Sequence, residues 1–389
     1  MTTLNFEGSN CFRQRIILAT LTGKKIVINR FRDKVGTEYG IQDYEISLLK
    51  LIEKVTNGSN ILIDQKGTRI TYRPGIIYGG EVKHHCHMKR SIGYYLEVLL
   101  PLAPFCKIPL IANLHGVTND QIDPSADALR HSALSVLRHF LGYVDDEALQ
   151  IKLISRGLKP EGGGQVLFKC PTRRVLKPIQ LLKPGKVKRI RGVAFATRMG
   201  PVQARLVDKA KGILQQFIPD IYIYNDHLKG VNSGKSPGFG ISLVAETNEG
   251  VFYVGEAMSN PANSNSGVSV PEDVAEEAAF ALLNDIYRGG TISTSDQGLG
   301  ILMMAFCERD LSKTIFGPLT PYTIQLLRHL KEFTSLTFKL EPYKKLDENG
   351  QEMEIDEEDD EDGKLKTGSK KVLAACIGIG YSNISKTVR

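Results

Sequence analysis

The sequence predicts an α/β (α+β) fold, in which a large pseudo-symmetric body carries a smaller inserted α/β domain. Two observations lead there. One order of elements, amphipathic helix, strand, turn, strand, recurs three times along the 389 residues. Between the second and third copies lies a block of different character, from about Lys183 to Asn265. At 42% hydrophobic, a chain of this length can bury the cores that two domains need.

In the first copy, Asp43 to Val55 has apolar residues at helical spacing and ends at Asn57-Gly58; strands follow at Asn60 to Asp64 and Thr68 to Arg73. In the second, Asp123 and Pro124 offer an N-cap and a first helical residue. That helix places Ala126, Leu129, Ala133, Val136, Leu137 and Phe140 on one face and stops at Gly142, before strands Leu149 to Ser155 and Gln165 to Lys169. The third copy runs from a helix at Pro321 to Phe333, through a strand at Ser335 to Leu340, to a strand at Lys371 to Gly378.

The intervening block opens on the basic run Lys186 to Arg191. A helix (Val202 to Phe217), a strand (Ile221 to Tyr224) and a hairpin (Ile241 to Glu246, Val251 to Gly255) follow, and Asn260 to Gly267 reads as a linker. The expected division is 1–183 and 266–389 for the large domain and 184–265 for the insert. A helix from Pro271 to Tyr287, capped by Ser269 and closed by Gly289-Gly290, is expected to return the chain to the main body. Residues 345–371 are dense in like charge and poor in apolar side chains, which predicts a disordered acidic loop inside the third copy.

Charge points to a class of partner. The stretch Asp347 to Asp362 holds eleven acidic residues and no basic one, which leaves a formal +18 on the remainder against +7 overall. A body so basic suits a polyanion. Membrane insertion is not expected: apolar runs such as Gly298 to Phe306 fall short of the roughly 20 residues a span needs. The N-terminal residues lack a secretory h-region. Six scattered cysteines with no CxxC pair read as reduced intracellular thiols.

Four motifs are candidates for chemistry. In the stretch Arg288 to Gly317, Asp296 and Gln297 stand at the mouth of an apolar helix, where an N-terminus attracts anions. Glu161-Gly-Gly-Gly-Gln165 either cradles phosphate or makes a tight connection between strands. Gly230 to Ser236 has three residues between its glycines where a P-loop needs four, so it reads as a mobile basic loop. His84-His85-Cys86-His87 alternates across a strand, so at most two of the four converge; no metal is expected. No aromatic stacking platform is evident, and there is no Trp.

A resemblance rests on six segments. Glu7-Gly8, then Arg13 and Arg15, then an apolar stretch to Thr22-Gly23, resembles the opening of the RNA 3'-terminal phosphate cyclases. Tyr72-Arg73-Pro74-Gly75 with Gly79-Gly80, Ser91-Ile-Gly93 with Leu99-Leu100-Pro101, and Gly116 with Pro124 to Asp127 match in order, as do the glycine turn and Asp296-Gln297. The chain departs where those enzymes act. Gly8-Ser9-Asn10-Cys11 replaces a run of glycines, Gly40 to Glu45 replaces substrate-binding side chains, and Glu97 stands where they have glutamine. Phe316 to Ile324 holds no histidine to receive AMP; Leu319 and Thr320 occupy about its place.

The pattern is therefore similar to the cyclase-like, Rcl-type branch of the family. The resemblance implies three repeated sheet-plus-two-helix units in pseudo-threefold arrangement and a nucleolar role in small-subunit pre-rRNA processing. It also implies pre-rRNA, a ribosome-assembly GTPase and small-subunit processome components as partners, with no cofactor. The expected anion- or RNA-binding shell is Glu7, Arg13, Arg15, Arg73, Asp296 and Gln297. The favoured reading is a non-catalytic assembly factor. An alternative is an RNA endonuclease using Arg309, Asp310 and Lys313, in which a carboxylate acts as base beside cations. An active cyclase, which lacks an evident nucleophile, ranks last.

Overall fold

The computed structural model describes residues 3–34, 38–228, 230–261, 267–343 and 368–383, so the acidic stretch 344–367 lies outside the described residues. In chain order, β1 (Thr3–Glu7), α1 (Phe12–Thr22), β2 (Lys25–Asn29), α2 (Asp43–Val55), β3 (Thr56–Asn57), β4 (Asn60–Ile63), β5 (Ile70–Arg73) and β6 (Ile76–Ile77) come first. Next are β7 (Gly79–His85), α3 (Ile92–Leu102), β8 (Ile108–Gly116), α4 (Ala126–Leu141), β9 (Gln150–Ser155), β10 (Gly164–Cys170) and β11 (Gln180–Leu181). Then follow β12 (Val187–Thr197), α5 (Gln203–Leu214), β13 (Ile221–Leu228), β14 (Gly238–Thr247), β15 (Phe252–Met258) and α6 (Pro271–Arg288). The last are α7 (Gln297–Phe306), β16 (Leu311–Phe316), α8 (Pro321–Thr334), β17 (Lys339–Pro342) and β18 (Val372–Ile377).

The strands form four mixed four-stranded sheets and a two-stranded ribbon, β3-β6. Sheets β1-β2-β5-β4, β7-β8-β10-β9 and β11-β16-β18-β17 share one pattern: a parallel edge pair, then two antiparallel pairings. A parallel neighbour requires a crossover, and α1 and α3 supply it in the first two. The fourth sheet, β13-β12-β14-β15, repeats the directions with a different connection, since its first strand, β12, lies inside and its second, β13, at the edge.

Two hydrophobic cores result. The first joins the three like sheets with α1–α4, α7 and α8; the second joins the fourth sheet with α5 and α6. The predicted stripe of α4 is buried at all six positions, as period 3.6 requires. Helix α6 departs from expectation: Val274, Ala275, Ala278, Ala279 and Leu282 pack in the second core. Small side chains permit that contact. A Cβ on Gly255 of β15 would lie 2.3 Å from Leu282 N, so glycine lets helix and strand backbones touch.

Helix ends also differ in detail. Ser125, not Asp123, caps α4, accepting from Ala128 N at 3.1 Å, because Asp123 is taken by Arg90. Ser269 does not cap α6; its hydroxyl accepts from Asn260 N at 2.8 Å. Helix α5 is shorter than expected. Ser335, in the left-handed region, ends α8, so the next strand begins at Lys339.

Buried charge fastens the two cores together. Arg156, 1% exposed, donates to Asp127 at 2.7 Å and Asn119 at 3.0 Å in the first body. It also reaches Asp226 at 3.1 Å and lies 4.1 Å above the Phe195 ring in the second. Burial would raise the Asp127 pKa, but Arg156 outweighs it and holds the carboxyl below its ordinary value. Beside it the segment after β13, read from sequence as a mobile basic loop, is seated on the glycine turn: Lys235 N donates to Gly162 O at 3.0 Å and Glu161 N to Ser236 Oγ at 2.9 Å.

Replacing Arg156 by Ala strands two half-buried carboxylates, which costs at most about 3–5 kcal/mol, the precedent for broken fully buried pairs. Urea unfolding of Arg156→Ala should show that loss, and Arg156→Lys should recover only part of it, since an ammonium cannot fork between two carboxylates.

Candidate functional site

The site is built at the mouth of α1, where β1 turns into the helix. Gly8 and Cys11 both have positive φ, 72° and 54°. The backbone thus makes at Cys11 a turn that normally favours glycine, although the side chain is larger. Arg13 and Arg15 follow two positions apart, about 200° around a helix, so they leave on opposite sides.

Arg15 turns back: its guanidinium donates to Gly8 O at 2.7 Å and Glu7 O at 3.3 Å and lies over the Phe6 ring. Glu7 itself is exposed and 3.5 Å from Arg30. The two arginines therefore do not form one phosphate clamp.

Arg13 faces α3 and pairs with Glu97. Its guanidinium stands 4.6 Å from the Tyr94 ring, and Arg90 covers the same ring at 4.4 Å. Arg90 donates to Asp123 from Nε at 2.7 Å and also through Nη2. Two guanidinium groups and two carboxylates thus enclose one tyrosine, and formal charge cancels within the cluster. Burial would lower the Arg13 pKa; Glu97, helped by Tyr322, Tyr94 and Asp123, reverses that and keeps the group charged. A third pair, Arg32 with Glu45 at 2.7 and 2.8 Å, fixes the start of α2. There Glu45 also accepts from Gln42 N at 2.9 Å, half of a capping box.

Asp296 and Gln297 are near the centre of the first core but face inward. Gln297 is fully buried; its amide donates to Pro318 O at 3.2 Å and accepts from Thr320 N at 3.2 Å and Thr323 Oγ1 at 3.0 Å. It therefore clamps the turn that contains Leu319 and Thr320. Thr320 caps α8 by accepting from Thr323 N. Tyr322, on the first turn of α8, stands close enough to Arg13 to interact with its charge. His329, two turns on, is buried and hydrogen-bonded to Gln14 at 3.0 Å; burial and Arg15 lower its pKa to about 4. Asp296 accepts from Ser293 Oγ at 2.9 Å.

The other predicted residues lie apart from this cluster. Arg73 is exposed at the end of β5. Arg309 and Asp310 are exposed in the turn between α7 and β16. There Arg309 Nε donates to Ile379 O at 3.3 Å and Asp310 accepts from Leu311 N at 2.7 Å. Lys313 is half-buried on β16.

The glycine turn serves packing: a Cβ on Gly163 would lie 3.2 Å from Gly234 Cα, and Gly234 approaches the Gly157 backbone. The histidines separate as strand alternation dictates. His84 is buried on Ser47, whereas His85 faces out and stacks on His115. Among the described residues no group of three or more His, Cys, Asp or Glu is placed to hold a metal. No described helix is long and apolar enough to cross a membrane.

Sequence reasoning missed Arg90, Tyr94 and Asp123 as members of the central cluster. The readable signal was Glu97, a carboxylate where the resemblance expects an amide; a cation had to be near to neutralise it.

This fold and this charged cluster define a class. A model described as RNA 3'-terminal phosphate cyclase matches residues 4–340, and the chain belongs to that family. Within the family it is 49% identical over 388 residues to the human RNA 3'-terminal phosphate cyclase-like protein, covering 100% of this chain and 98% of the relative. A probable cyclase-like protein of Drosophila melanogaster is 44% identical over 387 residues, covering 99% and 97%. The rRNA processing protein rcl1 of Schizosaccharomyces pombe is 37% identical over 389 residues, covering 99% and 98%.

Burial pushes Asp296 up to about 6 from an ordinary 3.8, with hydrogen bonds opposing. The unfolded chain therefore loses this proton first, and stability falls as pH rises between those values. Asp296→Asn should then be more stable than the parent at pH 8, on the order of 1–3 kcal/mol. Denaturation curves should show the difference vanishing below about pH 4.

Proposed function

We propose that this chain is a non-catalytic assembly factor that binds pre-rRNA during maturation of the small ribosomal subunit. A ribosome-assembly GTPase and small-subunit processome components are its partners, and the nucleolus its place of work. One observation carries the reading. In a cyclase fold, Arg13 of α1 and Arg90 just before α3 are each paired with a carboxylate of the chain itself, Arg15 is turned back onto backbone carbonyls, and residues 316–324 include no histidine to accept a nucleotide. Such a cluster commits Arg13 and Arg90 to internal carboxylates and offers no imidazole nucleophile at that turn.

What remains is the basic exterior, which suits RNA phosphates. The name of the fission yeast relative, an rRNA processing protein, supports the same assignment. On this reading the three like sheets are copies of one unit in pseudo-threefold arrangement, and the fourth sheet is an insertion.

Fluorescence anisotropy with a labelled pre-rRNA fragment should show affinity falling about 10³–10⁵-fold between 50 and 200 mM salt, the response of six to ten phosphate contacts. With Mg²⁺ present the RNA should stay intact. Binding indifferent to salt contradicts the reading. Site-specific cleavage lost in Asp310→Ala, with binding retained, replaces it with the endonuclease in which Arg309, Asp310 and Lys313 act.

A further inference from the structure

The sheet β7-β8-β10-β9 has one face turned away from the first core. Alternation sends Val82, Leu110, Ala112, Leu114, Val166 and Phe168 into the first core. Their neighbours along β7, β8 and β10 point the other way, and each keeps solvent exposure. Register fixes what that face presents. His85 lies opposite His115, which lies opposite Gln165; Lys83 lies opposite Asn113, and Lys152 opposite Leu167.

The two imidazoles are parallel neighbours in fact as well as in register, with centroids 4.9 Å apart and planes 22° from parallel. Beside them Gln165 donates to Asn113 Oδ1 at 3.2 Å. That bond leaves the Gln165 carbonyl oxygen and the Asn113 amide hydrogens for other partners. Lys83 lies two residues from His85, whereas Lys152 lies opposite Leu167 and Lys169 opposite Ile111 further along the face, with Glu81 as its acidic member.

We propose that this face binds single-stranded RNA, with bases stacking on His85 and His115 and phosphates held by Lys83, Lys152 and Lys169. The assignment rests on the RNA-binding reading above and gives that binding a place. Charge decides between RNA and protein as the occupant. Protein interfaces are depleted of lysine and centred on large apolar or aromatic anchors. Here three lysines share a face with two heteroaromatic rings and a pair of amides, and its apolar members include two half-buried aliphatic side chains, Ile111 and Leu167; single-strand-binding sheets use that combination of rings and cations. Burial first, then His85 and Lys83, lower the His115 pKa, so its ring is neutral near pH 7 and presents a π-face.

The test uses the full chain and a labelled oligouridine with a duplex of equal length as control. His85→Ala/His115→Ala should weaken single-strand binding about tenfold or more, given about 1–3 kcal/mol per stacked base. His85→Phe/His115→Phe should retain affinity, because a ring remains. Lys83→Glu should both weaken binding and lower the salt slope by about one. Thermal unfolding confirms that each variant is folded. If the parent chain binds no RNA, the RNA-binding reading itself falls. If the parent binds and the folded alanine pair binds equally, with or without loss of a protein contact, the platform alone is overturned.

Discussion

A buried guanidinium has to find its counter-charge inside the chain, and that constraint governs both how the two cores hold together and how the charged cluster between α1 and α3 is arranged. Arg156 meets it with one carboxylate from each side of the boundary between the cores, Asp127 of α4 and Asp226 of β13. Neither core satisfies the charge alone, so the two are fixed relative to one another. The close backbone crossing of Gly163 and Gly234 beside it depends on the same alignment, since side chains at either position would meet backbone atoms.

The same constraint acts at the Arg13–Arg90 cluster with a different outcome. Arg13 and Arg90 flank Tyr94 where the family resemblance leads one to expect phosphate, but Glu97 and Asp123 already complement them. Displacing a buried carboxylate to admit an anion would expose one charge to repulsion and leave another unpaired. The polar residues that sequence places at the helix mouth are engaged in the same way. Gln297 holds the turn before α8, and Asp296 is bonded to Ser293. In both places the polar groups hold the surrounding turns together.

Local pattern carried much of the fold. The stripe of α4, the alternation of β10 and the helical spacing of α2 from Asp43 to Val55 each depend on neighbours a few residues away, so they are legible in one dimension. The errors came where a partner is distant. Asp123 looked like a cap because Arg90, 33 residues earlier, was not visible as its partner. Helix α6 looked like part of the main body because nothing in its own pattern says which core its alanines meet. Arg13 and Arg15 looked like a clamp because adjacency in sequence hides a turn of about 200° on a helix. The His85–His115 stack joins residues 30 apart on parallel strands, and only register brings it out.

The central claim is that the Arg13–Arg90 cluster is neutralised from within and that the chain performs no nucleotidyl transfer. The most direct measurement is to incubate the purified chain with labelled ATP or GTP, Mg²⁺ and an RNA ending in a 3'-phosphate. The account predicts no nucleotide covalently bound to the protein and no cyclic phosphate on the RNA. Either product would contradict it, and would mean that the Arg13–Glu97 and Arg90–Asp123 pairs open to admit substrate.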